Sequence, residues 1–533
     1  MAAEPGAPWW RGAVIYQIYP RSFSDSNGDG VGDLAGITDK LEYVASLGVD
    51  AIWLSPFFAS PMKDFGYDVS DYRAVDPIFG DLKDFDRLLA RAHELGLKVV
   101  IDQVYSHTSD AHAWFQESRT NRSNPKADWY VWADPRPDGT PPNNWLSVFY
   151  GPCWTWDGRR EQYYMHNFLP SQPNLNANNP AVQDALMDTA RFWLQRGVDG
   201  FRLDAINFAM HDPGLTDNPP VLDPGAVRRR PFDYQHHFHN QSQPGLVPFL
   251  ENFSKVMHSF GQDRFTVAEV GGEQALAEMK SFTAGNTRLN TSYGFDFLSA
   301  EQLSPDLVLN ALAQWPGKPA EGWPSWAFSN HDAPRAVSRW DDGSNSDDRA
   351  RLLQALLMSL RGNIFLYQGE ELGLPQAKIA FADLRDPEAI ANWPLTQGRD
   401  GARTPMPWVK DAVHAGFSIA KPWLPIPDEH VSRAVSVQNA QADSVLMRTR
   451  ELIELRHSNP ALRVGSFEPL ALAPPLLGFD RRDGQRRVRC LFNLSAQTLR
   501  RGVFLDGACL FSCGTVDRAA GVLGPWAGCI LEG

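Results

Sequence analysis

Three short segments hold the carboxylates that could do chemistry: Gly200-Phe201-Arg202-Leu203-Asp204, Thr266-Val267-Ala268-Glu269 and Ser329-Asn330-His331-Asp332. Each reads as the end of a buried parallel strand, and each finishes on an acid. Cleaving a glycosidic bond calls for two carboxyl groups, one to donate a proton and one to attack or to activate water. A parallel β/α barrel presents such groups from the C-terminal ends of its strands, where its loops converge. Arg202 and His331 lie in the same runs, so the combination points to sugar chemistry. Glu273 is the rival to Glu269, which is favoured because it directly ends the apolar run Phe265 to Ala268.

The elements that must position these acids are legible as apolar, β-branched runs between helical patterns. Strands are expected at Ala13 to Tyr19, Ala51 to Leu54, Lys98 to Asp102, the three acid-bearing runs, Thr291 to Phe297 and Asn363 to Tyr367. Eight strands alternating with helices imply a parallel sheet, and at this length an α/β fold closed as a (β/α)8 TIM barrel. About 75 residues rich in Asn, Pro, Trp and Gly follow Asp102, too long for a structureless loop, and predict a small inserted domain after strand 3. After the helix Val445 to Arg456, alternating runs such as Val488 to Leu494 predict a C-terminal antiparallel β-sandwich. The expected divisions are residues 1–103 for the first part of the barrel and 104–174 for the inserted domain. Residues 175–460 form the rest of the barrel, with a lid loop at about 209–243, and 461–533 the sandwich.

Composition narrows the function. The 533 residues are 43% hydrophobic and 21% charged, as expected of a globular chain, and too many for one ordinary core. A net charge of −13 with no basic stripe disfavours nucleic acid as a partner. The 18 tryptophans and 13 tyrosines could stack on sugars, although most are expected in the core and at domain seams. Five cysteines (Cys153, Cys490, Cys509, Cys513 and Cys529) lack metal-ligand spacing, and free thiols in a reducing compartment are expected. The first ten residues show no leader pattern and no apolar run reaches a membrane-spanning length, so a soluble, cytoplasmic protein, monomer or homodimer, is expected.

The chain resembles the α-amylase family of glycoside hydrolases, and within it the α-glucosidase and oligo-1,6-glucosidase branch. The segments that carry the resemblance are Tyr16 to Phe23, Gly66 to Tyr72, Gly200 to Ala205, Asn330-His331-Asp332, Tyr367 to Glu371 and Arg399 to Trp408. Singly they are weak, but their joint order is specific. The resemblance implies Asp204 as nucleophile, Glu269 as general acid and then base, and Asp332 as the group that grips sugar hydroxyls. It implies Asp64, Tyr67, His107, Arg202, His331 and Arg399 as substrate-binding residues, with Asp64 and Arg399 closing the pocket at the glucose 4-hydroxyl. It also implies a structural Ca2+ or Mg2+ held by Asp25, Asn27, Asp29, the Val31 carbonyl and Asp33; Gly36 stands where an EF-hand loop would carry its glutamate. No organic cofactor is implied.

Two positions depart from the family pattern. Ser106 precedes His107 where the family has Asn, which weakens the case for a calcium site at the inserted domain's seam. Asn174 replaces an aspartate in Gln172-Pro173-Asn174-Leu175-Asn176. Ala205 follows the nucleophile where oligo-1,6-glucosidases typically carry valine, and the smaller side chain favours an α-1,4-linked sugar. His211 to Leu215 resembles lids of α-glucosidases that take short substrates and transfer glucose to alcohols and phenols. The expected activity is hydrolysis of maltose and short maltooligosaccharides by a retaining, exo-acting α-glucosidase, with transglucosylation. The alternatives are an oligo-1,6-glucosidase, a trehalose synthase or sucrose-active glucosyltransferase and, distantly, a non-catalytic transporter-associated homologue.

Overall fold

The barrel follows from strands that are buried on both faces. Eight of them, β1 Val14–Ile18, β2 Ala51–Leu54, β3 Lys98–Val104, β4 Gly200–Asp204, β5 Phe265–Glu269, β6 Thr291–Tyr293, β7 Ser325–Ala327 and β8 Asn363–Tyr367, pair in parallel in the order β6-β5-β4-β3-β2-β1-β8-β7. A parallel bridge between Ser292 and Pro324, with a 2.7 Å contact from Thr291 Oγ1 to Ser325 Oγ, joins the two ends and closes the sheet. The computed structural model describes residues 8–225, 228–317, 322–343, 346–500 and 506–533. The first seven residues of the N-terminal segment and residues 226–227 of the expected lid lie outside them.

Side chains alternate along each strand, so every second residue points into the barrel. Ile15, Ala51, Trp53, Val100, Phe265, Val267, Tyr293 and Phe365 pack together there as an inner core. The outward set, including Val14, Tyr16, Ile52, Val99, Phe201 and Leu203, packs in the large core that also takes in the buried faces of the helices. On β3, β4 and β5 the inward series climbs from Val100, Gly200 and Phe265 to Asp102, Arg202 and Asp204, and Glu269. The polar groups therefore gather at one mouth.

Local signals set where β4 begins. Asn179 caps the helix Pro180–Arg196, with its side chain accepting from Ala181 N and proline at the first helical position. Gly197, at φ 103°, ends that helix in the left-handed conformation, three residues before the strand.

Two sequence expectations shift. The run Ser329 to Asp332 is not strand: β7 ends at Ala327, and Asp332 sits in the turn beyond it. The strand expected over Thr291 to Phe297 stops at Tyr293, and the chain bends at Phe295.

Between β3 and the helix Pro180–Arg196 the chain leaves the barrel and carries a small antiparallel sheet of Trp132–Ala133, Gln162–Met165 and Trp154–Asp157. Beyond residue 465 a five-stranded antiparallel sheet faces a three-stranded one, with Leu476, Leu523 and Ala527 packed between them. All five cysteines are free thiols. No helix among the described residues is long and apolar enough to cross a membrane.

Candidate active site

One guanidinium organises the site. Arg202 is fully buried on β4 and reaches three carboxylates, with Nη1 2.5 Å from Asp204 and 2.9 Å from Asp102, and Nη2 2.6 Å from Glu269. Strand register makes this possible: Asp102 lies beside Arg202 across the β3–β4 pair, and Val267 lies beside it across β4–β5, which puts Glu269 next to Asp204. The Tyr293 hydroxyl accepts from Arg202 Nη2 at 3.0 Å and donates to Glu269 Oε1 at 3.2 Å. Trp53 supports the guanidinium carbon from 5.0 Å. The chain turns sharply after Asp204, with Ala205 in the left-handed region at φ 36°.

Three carboxyls around one cation cannot all ionise cheaply. Burial pushes Glu269 up to about 7, with Asp204 and Asp332 adding repulsion and Arg202 opposing. Burial likewise raises Asp204 and Asp102, which titrate together across the arginine they share. The cluster thus keeps a proton near neutral pH. Asp332 behaves in the opposite way. Burial works to raise it, but the Arg403 and Arg399 guanidiniums outweigh burial and hold it well below the usual carboxylate range. Arg403 Nη2 lies 2.6 Å from Asp332, and Arg399 Nη1 3.5 Å.

His331 lies flat against Tyr67, ring centroids 5.3 Å apart, and faces Tyr19 on another side at 5.6 Å. Gln17 Nε2 donates to His331 Nδ1 at 2.8 Å, so the ring proton sits on Nε2, 2.6 Å from the Tyr67 hydroxyl. That hydroxyl in turn donates to Asp102 at 3.2 Å. Burial drives His331 down to about 3 and His107 to about 4, so both are neutral imidazoles at physiological pH. His107 Nε2 meets the Tyr67 carbonyl at 3.0 Å, while Ser106 Oγ bonds its Nδ1 at 2.9 Å.

The far wall is an ionic latch. Arg399 Nη2 pairs with Asp64 at 2.8 Å and with Asp386 at 2.7 Å, and Gln172 Nε2 donates to the second oxygen of Asp64 at 3.1 Å. These groups enclose a cavity of about 460 Å³, bounded by Asp64, Tyr67, His107, Asp204, Glu269, Asp332 and Arg399. Phe149 and Phe168, from the excursion after β3, and Arg230, Phe232 and Gln241, from the loop after β4, complete the mouth. Glu273 does not line it; it bonds His236 at 2.8 Å instead.

All nine residues expected at the sugar site therefore converge. Asp102, Tyr293, Gln17, Arg403 and Asp386 were not assigned from the sequence. Asp102 carried the same strand-end signal as Asp204. Asp386 carried a cap signal, since it precedes Pro387 and accepts from Glu388 N at the start of the helix Pro387–Asn392. Asn174, one of the departures, sits in a small amide network, accepting from Asn167 at 2.9 Å and donating to the Phe208 carbonyl at 3.2 Å.

The loop Asp25 to Asp33 lies apart from this cavity. Asp25, Asn27 and Asp29 each accept from the amide two residues on, at 3.0, 2.9 and 2.8 Å. Asp33 caps the helix Leu34–Ser46 through Gly36 N at 2.6 Å. Among the described residues no group of three or more His, Cys, Asp or Glu side chains gathers as a metal cage. Amide and carbonyl oxygens of the loop would have to supply the remaining ligands to a cation.

Comparison with known proteins agrees with this geometry. Residues 17–465 match the family model described as the α-amylase catalytic domain. A probable α-glucosidase of Rhizobium meliloti is 54% identical over 92% of this chain and 90% of its own length. An oligo-1,6-glucosidase of Heyndrickxia coagulans is 37% identical over 92% and 93%. Among solved structures, the α-glucosyl transfer enzyme XgtA superposes with a TM-score of 0.93 at 53% identity, covering 99% of this chain and 100% of its own. The trehalulose synthase MutB of Pseudomonas mesoacidophila superposes at 0.89 with 32% identity, covering 99% and 100%. A carboxylate cluster at the strand ends of a closed barrel and a family match spanning that barrel lead to one conclusion: the chain is a glycoside hydrolase of the α-amylase family, in its α-glucosidase and oligo-1,6-glucosidase branch.

Proposed function

We propose that this enzyme is a retaining, exo-acting α-glucosidase that removes terminal α-1,4-linked glucose from maltose and short maltooligosaccharides, and transfers glucose to hydroxyl acceptors as a side reaction. The observation that carries this reading is the pair Asp204 and Glu269, held on the two terminal nitrogens of Arg202 beside a cavity that Asp64 and Arg399 close. Carboxyls so close suit direct attack; retaining pairs stand about 5–5.5 Å apart, with no room for an intervening water. Asp204 attacks the anomeric carbon while Glu269 gives its proton to the departing oxygen, leaving a covalent glucosyl–enzyme ester. Glu269, now ionised, takes a proton from water, which attacks the same carbon and releases α-glucose with Asp204 restored. An alcohol in place of that water gives transfer. Asp332, kept ionised, and the neutral His107 and His331 bind hydroxyls of the sugar as it flattens. The latch at Arg399 leaves no passage for a second sugar beyond the first, hence the exo action.

Initial rates of glucose release from maltose, isomaltose, sucrose and trehalose, with the anomer followed by NMR, test the proposal. Maltose should be fastest and should yield α-glucose first. The β-anomer would overturn retention, a preference for isomaltose would overturn the linkage, and isomerised sucrose without release would indicate a glucosyltransferase.

The same reading takes the loop of Asp25, Asn27, Asp29, Val31 and Asp33 as a structural Ca2+ or Mg2+ site, on the strength of its hard oxygen donors. A chelator should lower Tm, and Asp25→Asn should abolish that response. A Tm unmoved by either chelator or added calcium would discard the site.

A further inference from the structure

The mouth opposite the catalytic one has the reverse character. A cavity of about 270 Å³ opens there, formed by the chain segments that precede β1, β5, β6 and β7. It is smaller than the roughly 300–1,000 Å³ pockets that take drug-sized ligands. In a chain of net charge −13, none of the residues described as lining it is acidic. Arg11 and Arg288 do line it, together with Trp10, His258 and Asn286.

These cations are unevenly matched to their surroundings. The Arg11 guanidinium packs on the Trp323 ring at 4.2 Å, with no hydrogen bond or ion pair among the described residues. Arg361, only 7% exposed, packs on the same ring at 4.5 Å and spends Nη1 on the Trp315 carbonyl at 3.1 Å. Arg288 uses Nε on Glu251 and Nη1 on the Ser281 carbonyl, and its Nη2 has no partner among the described residues. Trp10, 8% exposed and on the cavity wall, keeps its indole N–H buried without an acceptor. Burial lowers Arg11 and Arg361, Arg361 to about 10 with Arg11 adding repulsion, and it lowers Arg456 and Arg481 too, so what sets Arg11 apart is its bonding. The neighbouring buried arginines differ. Arg456 and Arg481, at 0% exposure, direct their N–H groups at main-chain carbonyls and have structural work. Arg11 has none, and a stacked, planar guanidinium with free N–H groups is the usual partner of phosphate-type oxygens.

We propose that this cavity binds a small tetrahedral oxyanion, either phosphate itself or the phosphate group of a phosphorylated sugar, through Arg11, Arg288 and the Trp10 N–H. Isothermal titration of the full-length protein in a chloride buffer of fixed ionic strength, with inorganic phosphate in one arm and glucose 6-phosphate in the other, tests it. Saturable one-site binding with millimolar or tighter Kd is expected. Arg11→Met, which keeps an apolar stem on Trp323, should weaken it about tenfold or more. Arg11→Lys should retain part of the affinity, which guards against a folding defect in the first variant. Maltose turnover by both variants should match the parent, since the cavity lies at the other end of the barrel. Glucose 6-phosphate binding tenfold tighter than phosphate would identify a sugar phosphate as the ligand, and equal affinities would identify the free ion. No binding in either arm, or the same affinity in Arg11→Met, overturns the proposal.

Discussion

The two ends of this barrel handle buried charge in opposite ways. At the C-terminal mouth Asp102, Asp204 and Glu269 crowd one arginine, so negative charge exceeds positive and a proton is retained. At the N-terminal end Arg456 is equally buried, yet its bonds go to the carbonyls of Gly12, Met358, Leu360, Gly362 and Leu462. Carbonyl dipoles cannot titrate. They fix the arginine, and through it the chain before β1, the loop before β8 and the C-terminal helices, and offer no proton of their own. Carboxylates can titrate, and an excess of them yields a site whose proton moves within the physiological range. The comparison separates a charge that holds structure from a charge cluster built to react.

Breaking the catalytic side should have the largest effect. Asp204→Asn removes the attacking oxygen and is expected to lower kcat for maltose by roughly 10⁴-fold or more, with Tm held or raised because a repelling carboxylate is gone. Activity within tenfold of the parent would reassign the nucleophile. Glu269→Gln should cost roughly 10²–10⁴-fold on maltose and much less on an aryl glucoside whose leaving group needs no proton. Loss to the same degree on both would turn attention to Glu273, although its bond to His236 outside the cavity argues against it.

The retained proton also sets the pH profile. Glu269 must be protonated to act, so kcat/KM should fall as pH rises through about 7, and Glu269→Gln should erase that limb. The acid limb reports Asp204, raised with Asp102. Stability carries its own sign. These carboxyls hold protons more tightly folded than unfolded, so their contribution is complete below the unfolded value of about 4 and is lost as pH rises through the folded one. A kcat/KM still rising beyond pH 8 would contradict the burial argument.

How much of this could be read from the chain follows from locality. The strands β1, β2, β3, β4, β5 and β8 announce themselves as apolar, β-branched runs, and Asp204 and Glu269 terminate two of them. β7 does not, because Ser325–Ala327 is three residues long and follows Pro324, so the acid-bearing run Ser329 to Asp332 reads as the strand instead. The run expected as β6 extends four residues past its end at Tyr293, because Phe295 and Phe297 continue the apolar pattern. Within the site, each acid is legible alone, but its partners are not. Asp64 meets Arg399 across 335 residues, and Asp102 matters only because register sets Arg202 beside it. The environment that decides a pKa is assembled from separate strands, and no local pattern contains it.

Breaking the structural side should leave chemistry intact. Arg456→Met leaves five buried carbonyls without their donor and is expected to cost about 3–5 kcal/mol of stability. The kcat per folded molecule should stay unchanged, because no bond of Arg456 reaches the cavity. Denaturant unfolding checks the first expectation and active-site-normalised turnover the second. A large fall in kcat with stability preserved would mean that the two ends are coupled.

The smallest expected effect concerns specificity. Ala205 lines the cavity directly after Asp204, in a left-handed backbone conformation that a β-branched residue adopts only at a cost. Ala205→Val should therefore narrow the space beside the nucleophile and lower stability slightly. Its clearer signature is a change in the ratio of maltose to isomaltose turnover, by about tenfold in favour of isomaltose, since a methyl group or two in a pocket discriminates by only ~1–3 kcal/mol. If the ratio does not move, the linkage is chosen farther out, where Phe232 and Arg230 of the loop after β4 face the mouth. The substitutions to make next would then lie on that loop, with the charge cluster around Arg202 left as it is.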